Sequence, residues 1–171
     1  MKTVFILNFN VFQGKYKFLR LNFANGDMCG HTGSIPATTD SVAAMYVQMK
    51  RLIDAVAAAK GAVIATADHG NCEEMLDKKG KPMTSHTTRA VPFWILDQNA
   101  KYVVDTEGIE RPGLANVAAT VCNMLGFQAP PQYHKSLIRY KDSTSSPEPE
   151  PSDGYAKSAA AKSGDSRSKP Y

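Results

Sequence analysis

The clearest pattern in the chain is a run of apolar residues at three- and four-residue steps between positions 42 and 56. This spacing is typical of one buried face of a helix. The residues on that face are Val42, Met45, Tyr46, Met49, Leu52, Ile53 and Val56. Asp40 is the predicted N-cap, with Thr38 and Thr39 as alternatives. Gly61 stands where the C′ residue that follows a helix is expected.

Segments on either side of this helix have the patterns of strands. Residues 16–23 alternate apolar and basic positions and end at the turn signal Ala24-Asn25-Gly26, which predicts a half-buried strand. Residues 62–67 are apolar without alternation, as expected of a strand buried on both faces. The order strand, helix, strand predicts a parallel βαβ unit, in which ligands bind at the carboxyl ends of the strands.

The sequence pattern in the second half of the chain predicts a turn, a strand and a helix. The turn is the polar segment 77–82, and the strand is VPFWIL at 91–96, where Pro92 indicates an edge or an irregular start. The helix covers 114–125 and ends at Gly126. Its predicted buried residues are Leu114, Val117, Ala118, Val121, Met124 and Leu125.

Composition divides the chain into three parts. Its 171 residues suit one domain or less, and 43% hydrophobic residues suffice for a core. Residues 141–171 contain no Leu, Ile, Val or Phe and are rich in Ser, Pro and Ala, so we predict a disordered tail. Residues 1–15 are either a strand or an N-terminal extension. The predicted folded domain is therefore 16–140.

The net charge and the cysteines indicate which kinds of binding partner and which cellular compartment to expect. The net charge of +4 is spread along the chain, so we expect no nucleic-acid binding. No apolar run approaches the roughly 20 residues that span a bilayer, so we expect no membrane partner. The three cysteines, Cys29, Cys72 and Cys122, are an odd number without CxxC spacing, which favours a reducing compartment. We therefore predict a cytoplasmic protein.

Residues with metal-binding chemistry fall into three short segments. Asp27 and His31 stand four residues apart among glycines, Asp68 and His69 follow the apolar run at 62–67, and the third segment supplies His86. Two carboxylates and three imidazoles without a thiolate suit Mn²⁺, Mg²⁺, Zn²⁺ or Fe²⁺ and disfavour a closed structural zinc site. Five ligands are more than one open catalytic ion usually takes, which points to two ions.

Each segment alone also has an ordinary structural explanation. An Asp-x-x-x-His pair is commonplace and is more often a turn cap beside a surface histidine. Asp68 could cap the loop that follows it, and His86 could be a hydrogen-bonded loop residue. The metal hypothesis therefore depends on the three segments acting together.

The motifs NGDM-x-GHTG, ADHGN-x-E and HTT-x-x-VPF, in this order, resemble a known family. The chain is similar, from about Tyr16 to Ile138, to the catalytic domain of cofactor-independent (2,3-bisphosphoglycerate-independent) phosphoglycerate mutase. That family belongs to the alkaline phosphatase superfamily of metalloenzymes. The resemblance implies an α/β fold, namely part of a doubly wound, three-layer αβα sheet. The N-terminal strands and the inserted substrate domain of the family would be missing.

The resemblance also implies roles for the five residues. Asp27, His31 and His86 would hold one divalent ion, and Asp68 and His69 would hold a second. In the family, a nucleophilic serine takes the phosphoryl group from 3-phosphoglycerate and returns it to the 2-hydroxyl, an isomerase step of glycolysis and gluconeogenesis. The implied ions are Mn²⁺ first, with Mg²⁺, Co²⁺ and Zn²⁺ as alternatives. The substrate of the family is phosphoglycerate, and its members are often monomeric.

The chain also departs from that family. It has no counterpart of the family's N-terminal Asp-Gly segment or serine-bearing helix, and none of Ser34, Ser41 and Ser85 matches the nucleophile. We therefore assign no catalytic residue and expect no mutase activity from this chain alone. The chain resembles the C-terminal part of a longer enzyme, as expected of a fragmentary gene model or a truncated paralogue. A sheet without its neighbouring strands predicts marginal stability or self-association.

Two other functions stay open. One is a different phosphotransferase of the same superfamily, such as a phosphopentomutase or a phosphatase; a sulfatase is disfavoured because its Cys-x-Pro-x-Arg motif is absent from the sequence. The other is a non-catalytic metal-binding or interaction module. Cys29 and Cys72 replace small aliphatic residues of the family motifs and are predicted to be packing thiols.

Overall fold

The structure is a computed structural model that describes residues 16–141. The predicted extension at 1–15 and almost all of the predicted tail lie outside the described residues. Two compact units divide between Tyr102 and Val103. Among the described residues, no helix is long and apolar enough to cross a membrane.

The first unit contains two helices and a two-stranded antiparallel sheet. Its elements are α1 (Asn25–Gly30), α2 (Ile35–Ala58), β1 (Ala62–Thr66) and β2 (Phe93–Asp97). β1 pairs with β2 in the register that sets Ile64 opposite Ile95, and α2 packs against both α1 and β1. The mixed α/β class predicted from the sequence is confirmed.

The predicted parallel βαβ unit is wrong within the described part of the chain. Residues 16–24 form no strand, and β1 has an antiparallel partner that comes after it in sequence. A lone extended segment leaves its backbone N–H and C=O groups without a ladder, so the apolar alternation at 16–23 does not suffice to make a strand. β1 has only one neighbouring strand, β2, in its sheet, and it is half-buried at its centre and exposed at both ends, against the prediction of burial on both faces.

The N-cap of helix α2 lies six residues before Asp40, the predicted N-cap. Ser34 is the N-cap, and its Oγ accepts a hydrogen bond from the N–H of Ala37 at 3.4 Å. Pro36 lies in the first turn, where the missing N–H has no helical partner to lose. The predicted apolar face is otherwise correct, since its members are half-buried except for Tyr46.

The end of α2 also differs from the prediction by one residue. The left-handed residue is Lys60, with φ of 55°, and not Gly61. The N–H of Lys60 donates to the carbonyl of Ala57, and the N–H of Gly61 donates to the carbonyl of Val56, both at 2.9 Å. This is the Schellman pattern, with a lysine where glycine is usual. Gly61 has a steric role instead, because a Cβ there would lie 2.8 Å from Val56 Cγ1.

The polar segment at 77–82 forms the turn that the sequence predicts. The carboxylate of Asp77 accepts the N–H groups of Lys79 and Lys81 at 2.8 and 2.9 Å. Gly80 takes a left-handed conformation with φ of 75°, and an isolated bridge joins Leu76 to Pro82. The strand predicted at 91–96 forms as β2, which begins directly after Pro92.

The second unit is built around a buried threonine. Strand β3 (Tyr102–Val104) begins at the boundary and pairs with β4 (Ile138–Tyr140). The second unit also contains a 3-10 turn (Leu114–Asn116) and α3 (Val117–Met124). The hydroxyl of Thr120 donates to the carbonyl of Asn116 at 2.8 Å and accepts the N–H of Leu137 at 2.9 Å. These two bonds satisfy a side chain that has no exposed surface.

The second helix has its predicted extent, but its predicted buried face is only partly correct, since Val117, Val121 and Met124 are half-buried and the other three members are exposed. Leu114 and Leu125 are exposed, whereas Ala119 and Thr120 are buried. The first turn is a 3-10 helix with three residues per turn, which changes the face that each later residue presents. Gly126 ends the helix with φ of 83°, as predicted.

We predict that Lys60→Gly stabilises the chain by about 0.5–1 kcal/mol, because glycine adopts the left-handed conformation without the strain that a Cβ causes. Urea unfolding of the variant should show a higher midpoint. Lys60→Ala is the matched control, since alanine keeps the Cβ and should leave the midpoint unchanged. A gain of equal size in both variants would show that loss of the lysine side chain is the cause.

We also predict that the isolated chain self-associates through its exposed apolar side chains. Trp94 on β2 is 57% exposed and Tyr46 on α2 is 68% exposed. Trp94→Lys should shift sedimentation towards the monomer, whereas Gln98→Lys adds the same charge on a polar position and should not. A sharp, concentration-independent unfolding transition of a monomeric wild type would contradict this prediction.

Candidate metal centre

A short helix brings the first two predicted ligands together. The segment after Phe23 was predicted to be a turn at a strand end, but it forms α1, with Asp27 inside the helix and His31 as its C-cap. The N–H of His31 donates to the carbonyl of Asp27 at 3.0 Å. Residues four apart lie on the same helical face, and His31 Nε2 accordingly stands 3.2 Å from Asp27 Oδ1.

An isolated bridge brings the other two histidines to the same carboxylate. Gly70 pairs with Thr87, whose N–H donates to the carbonyl of Gly70 at 2.8 Å. His69 and His86 stand next to these two residues, and their rings stack with centroids 3.6 Å apart. The Nε2 atom of His86 lies 3.1 Å from Asp27 Oδ1, and that of His69 lies 4.0 Å from the same oxygen.

Three of these atoms form a nearly equilateral triangle. Asp27 Oδ1, His31 Nε2 and His86 Nε2 are separated by 3.2, 3.1 and 3.1 Å. Ligand atoms bound about 2.1 Å from one ion at near right angles are about 3 Å apart, so the triangle has the size of one face of a coordination polyhedron. The donor set of one carboxylate and two imidazoles fits a divalent ion.

The ring of His31 is oriented for such a role. Its Nδ1 donates to the carbonyl of Thr84 at 2.5 Å, which leaves the Nε2 lone pair directed towards Asp27 and His86. A hydrogen bond from one ring nitrogen to a carbonyl is the usual way in which a protein fixes the tautomer of a metal-binding histidine.

His69 and Asp68 lie at the margin of this cluster. The ligand atoms of Asp27, His69 and His86 also fall within 4.8 Å of one another, so His69 could join an ion held by the other two. Its 4.0 Å distance from Asp27 Oδ1 is nevertheless longer than the sides of the His31 triangle. The carboxylate of Asp68 is 83% exposed and lies 3.7 Å from His69 Nε2. The structure thus gathers four of the five predicted ligands closely and leaves Asp68 open to solvent.

Asn71 contacts the candidate ligands, although no sequence pattern predicted it as a site residue. Its side chain is buried, and Nδ2 donates to Asp27 Oδ1 at 2.6 Å. The sequence carried one signal, since Asn71 belongs to the ADHGN motif, but the contact joins residues 44 positions apart. No local pattern predicts a contact at that separation.

The environment of Asp27 favours its ionised form. Partial desolvation raises its pKa, but the hydrogen bond from Asn71 and the nearby His31, His86 and His69 outweigh that effect. The pKa of Asp27 is therefore held below its ordinary value. A carboxylate that stays ionised in a group of imidazoles is suited to a cation.

A second carboxylate joins the two loops that carry the histidines. Glu73 accepts the N–H of Asn71 at 2.6 Å through one oxygen and the hydroxyl of Thr87 through the other. Desolvation raises the pKa of Glu73, but the hydrogen bonds from Thr87 and from backbone N–H groups hold it below its ordinary value. Beside it, Arg89 makes a two-pronged contact with Glu74 at 2.6 and 3.0 Å.

Comparison with known proteins supports a metal-dependent function. A profile of the metalloenzyme superfamily matches residues 7–129. The 2,3-bisphosphoglycerate-independent phosphoglycerate mutase of Trypanosoma brucei brucei is 44% identical over 73% of this chain and 25% of its own length. A related mutase of Arabidopsis thaliana is also 44% identical, over 75% of this chain and 25% of its own length. The chain thus spans about a quarter of the length of these curated relatives.

A solved structure of a phosphoglycerate mutase also matches this chain. Phosphoglycerate mutase of Leishmania mexicana, crystallised at low cobalt concentration, matches with a TM-score of 0.74 and 41% identity. The match covers 81% of this chain and 28% of the other. This agreement in fold confirms the predicted likeness to part of a phosphoglycerate mutase.

We predict that Glu73→Gln destabilises the chain at pH 7 by about 1 kcal/mol, because the charged acceptor of two hydrogen bonds is replaced by a weaker one. A carboxyl whose folded-state pKa is depressed contributes stability above its unfolded pKa and loses it as the pH falls through the folded-state value. The difference in urea midpoint between wild type and variant should therefore shrink below about pH 4. Glu107→Gln, in the second unit, is the control, and a difference that stays constant with pH would contradict the assignment.

Proposed function

The chain belongs to the metalloenzyme superfamily, and from that premise we propose that it binds two divalent ions as part of a phosphoglycerate mutase site. The observation that carries this proposal is the triangle of Asp27 Oδ1, His31 Nε2 and His86 Nε2, whose sides of 3.1–3.2 Å suit three ligands of one ion. Those three residues would hold the first ion. Asp68 and His69 would contribute to the second.

Ions at these positions would supply Lewis acidity, which lowers the pKa of a bound hydroxyl and neutralises charge on a transferring phosphoryl group. The residues of the chain prepare the positions for them. The carbonyl of Thr84 fixes the tautomer of His31, and the ionised Asp27 offers negative charge at the centre of the imidazoles. The stack of His69 on His86 keeps both rings in place.

Manganese is the ion that we favour, with Mg²⁺, Co²⁺ and Zn²⁺ as alternatives. Mixed oxygen and imidazole donors without a thiolate suit all four ions, so the donor set alone does not select one. The Leishmania relative was crystallised in the presence of cobalt, which makes Co²⁺ a useful spectroscopic substitute.

The reaction that we propose for the complete site is the interconversion of 3-phosphoglycerate and 2-phosphoglycerate through a phosphoserine. The names of the relatives support the substrate class. The chain spans about a quarter of their length, and its sequence offers no match to the nucleophilic serine, so we propose that residues 1–171 alone do not turn over the substrate. The free thiols of Cys29, Cys72 and Cys122 are compatible with the cytoplasmic location that we infer.

Calorimetric titration of the chain with Mn²⁺ tests the metal proposal. We expect saturable binding that Asp27→Ala and His86→Ala each weaken by at least roughly tenfold, because each removes a ligand of the first ion. His134→Ala is the matched control, since His134 is the one histidine outside the three motif segments, and its binding should equal that of the wild type. Equal binding by all four proteins would defeat the proposed site.

A coupled assay with 3-phosphoglycerate tests the proposal that residues 1–171 alone do not turn over the substrate. The Mn²⁺-loaded chain should bind metal without forming 2-phosphoglycerate. Turnover by the wild type that is abolished in Asp27→Ala would show that the chain contains its own nucleophile. Metal binding without turnover is also what a non-catalytic metal-binding module would give, and restored turnover on addition of the missing part of a relative's chain would favour the mutase.

A further inference from the structure

Asn71 occupies a position between the two halves of the proposed metal centre. It follows Asp68 and His69 by two or three residues in the chain, yet its amide reaches the carboxylate of Asp27 in the other half. The Nδ2 atom lies 2.6 Å from Asp27 Oδ1 and 3.4 Å from the carbonyl oxygen of the same residue. Asn71 is 6% exposed, so these contacts replace its hydration.

The backbone of α1 is shaped to admit this side chain. A Cβ at Gly30 would overlap Asn71 Oδ1 and would lie 2.9 Å from Asn71 Cγ. Gly26, one turn earlier on the same helix, differs, because a Cβ there would make ordinary contacts of 3.6 and 3.8 Å with Cys72 Sγ and Val42 Cγ2. The absence of a side chain at Gly30 is therefore a specific requirement of Asn71.

The backbone of Asn71 is held as firmly as its side chain. Its N–H donates to Glu73 Oε2 at 2.6 Å, and the other oxygen of Glu73 accepts the hydroxyl of Thr87, the neighbour of His86. The amide that fixes Asp27 is thus tied to the loops that carry His69 and His86. A displacement of Asn71 would therefore move proposed ligands of both ions.

From this geometry we infer that Asn71 is a positioning residue for the metal centre. Its amide donates to one lone pair of Asp27 Oδ1 and fixes the rotation of the carboxylate, so that the other lone pair of this oxygen is directed towards the imidazoles. Asn71 does not itself bind the ion. The inference depends on the proposed metal binding and adds to it the residue that presents Asp27.

If Asn71 only stabilised the fold, Mn²⁺ affinity would change in step with stability. Substitutions at Asn71 and Gly30 distinguish this structural role from the proposed positioning role. Asn71→Ala removes the amide, whereas Gly30→Ala keeps the amide but pushes it away with a methyl group. In the double variant the methyl at position 30 fills the space that Asn71 vacates. Its stability should therefore recover relative to that of Gly30→Ala, although the amide is still absent.

The test measures urea midpoints and Mn²⁺ affinity by calorimetry for the full-length chain and its variants. We expect Asn71→Ala, Gly30→Ala and the double variant each to bind Mn²⁺ roughly 10- to 100-fold more weakly than wild type, as is usual when a residue that orients a ligand is lost. The double variant should regain stability without regaining affinity. Gly26→Ala makes the same change on the same helix away from Asn71 and should bind as the wild type does.

The visible absorption of bound Co²⁺ provides a readout that a loss of stability would not move. At saturation, Asn71→Ala should show a changed spectrum because the oxygen presented by Asp27 is altered, whereas Gly26→Ala should show that of the wild type. Wild-type affinity in Asn71→Ala, or affinity that returns together with stability in the double variant, would overturn the inference and leave the metal proposal intact. Failure of the wild-type chain to bind Mn²⁺ at all would overturn both.

Discussion

One carboxylate oxygen, Asp27 Oδ1, is the point on which the candidate site depends. It lies within 3.2 Å of the Nε2 atoms of His31 and His86 and accepts a hydrogen bond from Asn71 at 2.6 Å. These partners come from three segments of the chain. Partial removal from water raises the pKa of this carboxyl, but the surrounding amide and imidazoles outweigh that effect and hold the pKa below its ordinary value.

Hydrogen bonds connect these segments of the chain. Between β1 and β2 the chain forms no regular element of its own among the described residues, and it is ordered by the Gly70–Thr87 bridge and by Glu73. The Arg89–Glu74 pair is exposed, and such pairs contribute little to stability. A site held together by such contacts is only modestly stabilised. Its geometry and its affinity for a cation should therefore depend on each other.

The sequence predicted features that are encoded within a few neighbouring residues. It did not predict features that depend on partners far away in the chain. The four-residue spacing of Asp27 and His31, the turn at 77–82 and the stop at Gly126 are encoded within a few residues, and the structure contains the contacts that these patterns imply. The strand at 16–23 needs a neighbour that no local pattern supplies. Asn71 shows the same limit at the site, because its role depends on a residue 44 positions away.

The two halves of the candidate centre differ in how far they are organised. Asp27, His31 and His86 already stand at the spacing of bound ligands, so an ion there would require little rearrangement of the chain. Asp68 is largely exposed and lies 3.7 Å from His69 Nε2, so an ion there would complete its coordination with water or with groups from another segment. Preorganisation lowers the cost of binding, and the first half should therefore fill before the second. Because Asn71 ties the loop of His69 to Asp27, occupation of the first position would also restrain the second.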